Sequence, residues 1–405
     1  MYSVGIDVSK GKSTVCIIDC NGSTVYSPFE VKHEKDDLER LLSIFKNLAK
    51  KEDIKVVMEA TGIYHWPIFK ILKDNDYFVC VVNPLKMKAF SKNVNFRSVK
   101  TDKIDSTIIS RYGVEKWISL KNDNYQSDSR EELKRLTRAY EAYQKPKVNI
   151  KQIMDSELEK AMPGIKSIID EDDKLCDFIL EFKHFDKIKK MTSDKFVNKF
   201  NAWKKKKNYL FHSVTPIKIY DLAIQAIPTV PYDDVCKTTM ESSIYTLRSI
   251  NKVLNDILAQ ANTLAKKMPE YQTVRQMTGV GDKLAPLLIA EIGDIRLLRS
   301  KKSLVCMAGI DVPPYESGQF KANKRSITKK GNSHIRRNLY LVMTSLIKNK
   351  PKDDNDVYLF IQRKREDDNK HFNVALVAGM RKFLHIYYAR IKELYIKQGI
   401  WDINS

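Results

Sequence analysis

The chain has 405 residues, enough for two or three domains that each bury a core of their own. Its 71 Lys and Arg against 50 Asp and Glu give a formal charge of +21, which indicates a polyanionic partner. No apolar run approaches the roughly 20 residues that span a bilayer, no signal-peptide pattern opens the chain, and the six cysteines lack zinc-ligand spacing. We therefore expect a cytoplasmic, nucleoid-associated protein and exclude a membrane span and a zinc module.

The positive charge is concentrated toward the C-terminus. Residues 270–405 carry 25 basic and 14 acidic side chains, whereas residues 1–120 carry 19 and 15. This distribution predicts that the main nucleic-acid surface lies in the C-terminal third and that the N-terminal part is a nearly neutral catalytic body.

The first 120 residues predict three successive strands, followed by alternating helices and strands. The three strands are Tyr2–Val8, Ser13–Asp19 and Ser23–Val31, and Asn21-Gly22 is a strong hairpin signal. This order favours an α/β domain of the RNase H-like (RuvC-like) type over residues 1–125, with a doubly wound sheet as the alternative. The later elements are a helix about 35–51, a strand ending at residue 59, a helix about 64–73, a strand 77–82, and helices about 84–90 and 103–111.

Four acidic residues of this region form a candidate metal site. Asp7 and Glu59 lie near the ends of two apolar runs, and Asp102 and Asp105 share one face of a helix that begins at Thr101 or Asp102. Four converging carboxylates would repel one another unless divalent cations neutralised them, so we predict Mg²⁺ or Mn²⁺ bound by all four. For Asp102 and Asp105, an interaction with the helix dipole is the alternative.

Residues 126–270 are predicted to be helical, with a lysine-rich insertion of open role at about 165–240. An apolar seam with heptad spacing favours a dimeric coiled coil, and packing on the protein's own core explains it equally well. Pro146 predicts a kink or a break in the helical stretch Glu131–Met162. The Lys204–Lys207 run contacts nucleic acid or forms a solvated face. The seam residues are Leu247, Ile250, Leu254, Ile257, Ala261, Leu264 and Met268.

Residues 271–405 predict a mostly helical third domain. Gly279 and Gly281, in Thr278-Gly279-Val280-Gly281 before an apolar helical run, are typical of a helix-hairpin-helix, whose backbone N–H groups approach a phosphate. A helix-capping turn is the alternative. Core packing is the interpretation of the aromatic side chains near the C-terminus, namely Phe383, Tyr387 and Tyr388.

A basic stretch in the third domain predicts contacts with phosphates. The segment from Ser317 to Arg337 contains seven basic residues and no acidic one. Lys100 and Lys103, beside the acid pair, contact phosphate or pair with those acids. The seven basic residues are Lys321, Lys324, Arg325, Lys329, Lys330, Arg336 and Arg337.

Several motifs together resemble one known family. Gly5-Ile6-Asp7-Val8-Ser9-Lys10, Met58-Glu59-Ala60-Thr61-Gly62, Val82-Asn83-Pro84 and Lys100-Thr101-Asp102-Lys103-Ile104-Asp105 resemble the DEDD domain of the IS-one-ten / IS-eleven-eleven insertion-sequence transposases. The second signature block of that family is resembled by Thr278-Gly279-Val280-Gly281, Ala290-Glu291-Ile292-Gly293-Asp294, Ala308-Gly309-Ile310, Glu316-Ser317-Gly318 and Lys330-Gly331-Asn332. The resemblance covers both ends of the chain.

The resemblance implies a site-specific DNA recombinase with a RuvC-like domain and a separate transposase domain, joined by a helical dimer-forming region. It implies that Ser317 is the nucleophile, that a structured guide RNA pairs with donor and target DNA, and that a tetramer combines the metal site of one subunit with the serine of another. A serine hydroxyl needs activation, and no Ser-His-Asp pattern surrounds Ser317, so the metal site is expected to supply it. A metal-dependent nuclease of the Holliday-junction-resolvase type that uses water, and a non-catalytic nucleic-acid-binding protein, are the alternatives.

Overall fold

The computed structural model divides the chain into two compact units, Met1–Tyr125 and Gln126–Ser405. It describes all residues except 61, 95–100, 124–127, 315, 318–319, 322–325, 352–354 and 402–405. At residues 85, 92–94, 128, 316–317 and 320–321 it describes the backbone alone. The division of the second unit at residue 270 stays a prediction.

A five-stranded mixed sheet forms the centre of the first unit. Its strands are β1 (Tyr2–Ser9), β2 (Lys12–Asp19), β3 (Thr24–Lys32), β4 (Ile54–Glu59) and β5 (Phe78–Val82), in the spatial order β3-β2-β1-β4-β5. The first three strands form an antiparallel meander, and β4 and β5 add to β1 in parallel. Gly22 turns the β2–β3 hairpin with a φ of 83°, as the Asn-Gly signal predicts.

Helices cover both faces of this sheet. On one face, α1 (Lys35–Leu48) and α2 (Trp66–Asp74) share a core with Ile6 of β1 and Met58 of β4. On the other face, α3 (Pro84–Val94) and α4 (Asp102–Glu115) pack against Val57. The sheet and its helices confirm the predicted α/β class of the N-terminal region, and the mostly helical remainder is confirmed as well.

In its described residues, the second unit consists of helices and one short hairpin. Its first two long helices, α5 and α10, pack antiparallel, because the start of α5 shares a core with the end of α10 and the end of α5 with the start of α10. The elements are α5 (Asp128–Ala161), α6 (Asp172–Phe182), α7 (Phe185–Lys189), α8 (Ser193–Lys206), α9 (Thr215–Gln225), α10 (Asp234–Ala265), α11 (Tyr271–Arg275), α12 (Gly281–Ile292), α13 (Lys301–Ala308), β6 (Glu316–Ser317), β7 (Phe320–Lys321), α14 (Ser333–Asn349), α15 (Asp356–Glu366) and α16 (Phe372–Lys397).

The heptad seam of α10 packs within the chain. Leu247, Leu254 and Ala261 are buried in the cores that α10 shares with α5, and the intervening seam residues are partly buried there. Intrachain packing therefore accounts for the seam, and a dimeric coiled coil stays a prediction. Of the kink or break predicted at Pro146, the break is wrong, because α5 continues through this residue, and the kink stays a prediction. Packing against α10 offsets the helical hydrogen bond that a proline removes.

The insertion folds around its own aromatic cluster. Beside that cluster, Asp177 accepts a hydrogen bond of 2.9 Å from Tyr209 and pairs with Lys207 at 3.0 Å and with Arg248. Burial and the hydrogen bond to Asp177 raise the pKa of Tyr209 to about 12. One lysine of the Lys204–Lys207 run thus has a structural partner. The cluster contains Phe178, Phe182, Phe196, Phe200 and Trp203.

A buried ion pair ties the start of α5 to the rest of the C-terminal core. Arg130 donates to both carboxylate oxygens of Glu270, at 2.6 and 3.1 Å, and Tyr395 of α16 donates to Glu270 at 2.8 Å. Phe383, Tyr387 and Tyr388 of α16 are buried, which confirms their predicted place in the core. In the part of the chain that the structure describes, no helix combines the length and the apolarity that a membrane crossing needs.

Candidate active site

Asp7 and Glu59 lie side by side at the carboxyl ends of two neighbouring parallel strands. The β1–β4 register pairs Ile6 with Met58, so the next residue on each strand is one of these acids. Because successive side chains point to opposite faces and Ile6 and Met58 face α1 and α2, both acids face α4. Neighbouring strands are only about 4.8 Å apart, so the two residues are adjacent along the backbone of the sheet.

Helix α4 crosses this face in close contact with β1. A Cβ atom on Gly5 would lie 2.2 Å from the backbone nitrogen of Ser110 and 2.3 Å from the carbonyl oxygen of Ser106. The backbone N–H of Gly5 donates to the Ser110 hydroxyl at 2.8 Å, and that hydroxyl donates to the carbonyl of Cys16 at 2.7 Å. The small residues Ser106, Ser110 and Gly113 therefore form the contact face of α4, a pattern that the sequence contains but that our prediction missed.

The first turn of α4 lies at the same end of the sheet as Asp7. Gly113 contacts Ser3, and Ser106 contacts Gly5, so the helix runs antiparallel to β1 and begins beyond Gly5, toward Asp7. Thr101 caps the helix by accepting a hydrogen bond from the N–H of Ile104 at 3.3 Å, as the sequence predicts.

The two acids of this turn, Asp102 and Asp105, are thereby carried to the edge that holds Asp7 and Glu59. The pKa of the Lys12 ammonium, at the start of β2, is raised. The main cause is its hydrogen bond and charge interaction with Glu30, and the negative charge of Asp102 adds to it. Lys103 is exposed in the same turn, and Lys100 lies outside the described residues.

The four acids suit a divalent cation in chemistry and in backbone position. All four offer hard carboxylate oxygens, which Mg²⁺ and Mn²⁺ prefer. Two strand ends and one helix start bring them to one edge of the sheet. Among the described residues, however, no three His, Cys, Asp or Glu side chains already form a cluster that could hold a metal ion. The metal site stays a prediction.

Exposed apolar side chains follow Glu59 at this edge. Ile63 is 73% exposed, and Tyr64 and Trp66 are 38% and 40% exposed. The Trp66 ring stacks on His65 at 5.0 Å between centroids. Exposed aromatic rings are suited to stacking on nucleobases.

The predicted nucleophile lies in the second unit. Ser317 belongs to β6 and pairs with Phe320 of β7, and Lys321 belongs to the same short hairpin. Only the backbone of these residues is described, and Lys324 and Arg325 lie outside the described residues.

The glycine turn predicted as a helix-hairpin-helix connects α11 to α12. Gly279 has a φ of 88°, and a Cβ there would lie 2.9 Å from Leu346 and 3.1 Å from the Val342 carbonyl of α14. Gly281 has a φ of 60° and open space around it. Gly279 is thus required for packing against α14, whereas only Gly281 leaves room for a ligand.

Two cations of the basic stretch contact the protein itself. Arg336 donates to the carbonyls of Ala308 and Gly331, at 2.9 and 3.1 Å. Arg337 lies 3.5 Å from Glu141. Lys329 and Lys330 are exposed in the loop before α14.

A carboxylate–histidine pair, which our prediction missed, lies at the start of α14. Glu141 of α5 is buried and pairs with the half-exposed His334. Nearby, Arg138 and Asn332 donate to Glu291 at 2.9 and 2.6 Å. Burial alone would raise the pKa of Glu291, but these hydrogen bonds hold it below its usual value. The pairs join residues far apart in sequence, so no local pattern could have indicated them.

Comparison with known proteins identifies the family. A DEDD-type model for IS110 elements, described as a transposase, matches residues 4–163, and the model of the IS116/IS110/IS902 transposase family matches residues 271–358. The chain is 30% identical over 115 residues to the pilin gene-inverting proteins of Moraxella lacunata and Moraxella bovis. This segment is 27% of the chain and 33% of each relative, so the chain spans about a third of the length of the curated relatives it matches. The two family matches follow the order of the sequence motifs and together cover more than half of the residues, so the chain belongs to the IS116/IS110/IS902 family of transposases.

Proposed function

We propose that this protein is an RNA-guided, site-specific DNA recombinase of an insertion sequence, which cleaves DNA with a serine nucleophile and then rejoins the strands. The observation that supports the proposal is that the ends of β1 and β4, with Asp7 and Glu59, and the first turn of α4 lie at one end of the N-terminal sheet, in a chain of a transposase family. The relatives named as pilin gene-inverting proteins support a rearrangement of DNA as the outcome.

The sheet supports an RNase H-like identity for the first unit. Three antiparallel strands followed by two parallel ones, in the order β3-β2-β1-β4-β5, is the arrangement that this proposal requires. In open α/β sheets, ligands bind beyond the carboxyl ends of parallel strands where the strand order reverses. Asp7 and Glu59 lie at such a point. After β1 the chain continues to β2 on one side of the sheet, and after β4 it continues to β5 on the other side.

In this proposal, Asp7, Glu59, Asp102 and Asp105 hold Mg²⁺ or Mn²⁺. The bound ion would polarise the scissile phosphate and stabilise the charge that develops on it. The first turn of α4 contributes two of the four ligands, so the close packing of α4 on Gly5 fixes half of the set relative to the other half.

Ser317 would attack the phosphorus atom through its hydroxyl oxygen. A new phosphoserine ester forms, one DNA oxygen leaves as a free hydroxyl after taking a proton, and the hydroxyl proton of Ser317 passes to a base or to solvent. The ester keeps the bond energy that rejoining to a new strand needs, without ATP. A water nucleophile would release that energy, so the serine distinguishes a recombinase from a nuclease.

The remaining parts of the proposal concern partners. The charge of +21 suits a protein that holds guide RNA together with donor and target DNA, and a place near the nucleoid follows from such partners. The acids belong to the first unit and Ser317 to the second. We propose that a homodimer assembles to a tetramer in which one subunit's serine completes another subunit's acidic site.

The test incubates purified protein with its guide RNA, Mg²⁺ and DNA that carries donor and target sites. Covalent protein–DNA adducts are then measured on a denaturing gel. We expect adducts with the wild type and none with Ser317→Ala or Asp7→Asn. The exposed Ser156 and Asp170 provide matched controls, since Ser156→Ala and Asp170→Asn should leave the yield unchanged.

Two other outcomes would replace the proposal. Continued cutting by Ser317→Ala, with loss of cutting in Asp7→Asn, would identify a metal-dependent nuclease that uses water. Absence of both cutting and adducts in the wild type, together with unchanged or tighter DNA binding in Asp7→Asn, would identify a non-catalytic nucleic-acid-binding protein.

A further inference from the structure

A groove of about 890 Å³ lies between α15, α16 and the loop before α14 in the second unit. Its walls are mainly apolar and include Ile310, Val374, Val377 and the ring of Phe360. Val374 is 55% exposed, so a large apolar side chain faces open space here. A volume in the range of roughly 300–1,000 Å³ is typical of sites that enclose a small ligand, and a nucleotide is of that size.

Cationic side chains border the same groove. Lys329, Arg381 and Lys382 line it, and none of the described residues that line it is acidic. The ammonium of Lys382 lies 5.2 Å from the centroid of the Phe360 ring. Lys382 also pairs with Asp356 at 3.5 Å, so the exposed Lys329 and Arg381 are the cations most available to a ligand. This charge favours an anionic occupant.

His385 adds a polar group to the groove wall. It lines the groove, and its Nε2 atom is buried without a hydrogen-bond partner in the part of the chain that the structure describes. Burial, and then the charges of Lys301 and Arg381, lower the pKa of His385, so the ring is neutral near pH 7. The neutral ring leaves the charge of the groove to Lys329, Arg381 and Lys382.

We infer that this groove binds unpaired nucleotides of the DNA strand, with bases against Phe360 and Val374 and phosphates on Lys329 and Arg381. Apolar walls alone would suit a peptide, and cations alone would suit a duplex. Single-strand sites combine an aromatic or apolar surface for bases with cations that follow the backbone.

The choice of DNA rests on the proposed function. Ser326 lines the groove and follows Ser317 by only nine residues in the sequence. Strand exchange needs the bases next to a cleaved bond to leave their old partners before they pair with new ones. A groove joined by so short a segment to the proposed nucleophile is placed to hold such bases.

The test uses the full-length protein in EDTA, so that binding is measured without metal-dependent chemistry. Fluorescence anisotropy measures the affinity for a labelled oligo-dT of about 12 nucleotides and for an abasic strand of the same length and charge. We expect the wild type to prefer oligo-dT by at least about fivefold, since stacking contributes measurably for each base. In Phe360→Ala and Val374→Glu, the ratio of the affinities for oligo-dT and the abasic strand should fall toward one. Val235, 69% exposed on α10, supplies the control Val235→Glu, which should keep it.

The inference is overturned if both groove variants retain the preference for bases, or if the variants weaken abasic and oligo-dT binding equally. A groove-dependent preference for oligo-U RNA over oligo-dT, or for duplex DNA, would assign the groove to guide RNA or to paired DNA instead. DNA carrying 5-iodouracil should crosslink to peptides of α15 or α16 in the wild type and not in Val374→Glu. If serine adducts form but the preference for oligo-dT does not depend on the groove, this inference is contradicted and the recombinase is not. If the preference depends on the groove but no serine adducts form, the recombinase is contradicted and this inference is not.

Discussion

Replacing Gly5 with alanine should separate α4 from the sheet and dismantle the acidic edge. The added methyl group would lie 2.2 Å and 2.3 Å from two backbone atoms of α4, which cannot rotate away. Relief to an ordinary contact of about 3.4 Å needs a shift of about 1 Å in α4. That shift would strain the hydrogen bonds from Gly5 to Ser110 and from Ser110 to Cys16. Overpacking and two weakened buried hydrogen bonds together cost about 2–6 kcal/mol.

Urea denaturation of the full-length protein measures this cost, and hydrogen exchange on peptides from β1 and α4 locates it. Gly11→Ala is the matched control, because Gly11 has a φ of 77° but open space around it. Its cost should be only the backbone strain of about 1–2 kcal/mol. Equal costs for the two variants, or unchanged exchange in α4, would refute the close packing of α4 on β1. The Gly5→Ala protein should also lose serine adducts, since Asp102 and Asp105 move with α4.

Three further predictions test other parts of the structure. Gly113→Ala should destabilise the first unit, because its Cβ would lie 2.0 Å from the Ser3 hydroxyl oxygen, and Ser3→Ala in the same chain should restore part of the loss in a double-mutant cycle. Burial lowers the pKa of His184 in the folded protein, so as the pH falls below about 6.5 the unfolded chain binds a proton before the folded protein does, and stability is lost. Urea midpoints should therefore fall more steeply between pH 7.5 and 5.5 in the wild type than in His184→Gln. Arg130→Met leaves the buried carboxylate of Glu270 without its cation and should cost about 3–5 kcal/mol by urea denaturation, and a neutral Glu270→Gln in the same chain should recover part of it.

Local patterns in the sequence determine much of the first unit. The three predicted strands of the meander end within one residue of the observed ones, because the polar turns, Asn21-Gly22 among them, mark where each strand stops. Asp7 and Glu59 could be assigned to strand ends for the same reason. The contact that fixes α4, Gly5 against Ser110, joins residues about a hundred positions apart, so no local pattern predicts it.

Tertiary packing explains where prediction from the sequence was wrong or ambiguous. Pro146 reads as a helix breaker in isolation, but α10 supports α5 on both sides of it. Likewise, a heptad seam contains no information on whether its partner is another copy or another helix of the same chain. Here α5 covers the seam residues Leu254 and Ala261. If the protein dimerises, surfaces other than this buried seam must contribute.

The basic residues before and within α14 are of two kinds, those that contact the protein itself and those that are exposed. Its total charge predicts a polyanion, but charge alone does not separate cations that hold the protein together from cations that face a ligand. Arg336 donates to two carbonyls and Arg337 pairs with Glu141, so part of their charge is used within the fold. Lys329 and Lys330 remain exposed in the preceding loop. Phosphate binding should therefore depend on the loop more than on α14: charge-neutral variants of the two lysines should weaken DNA binding, and variants of the two arginines should first lower stability.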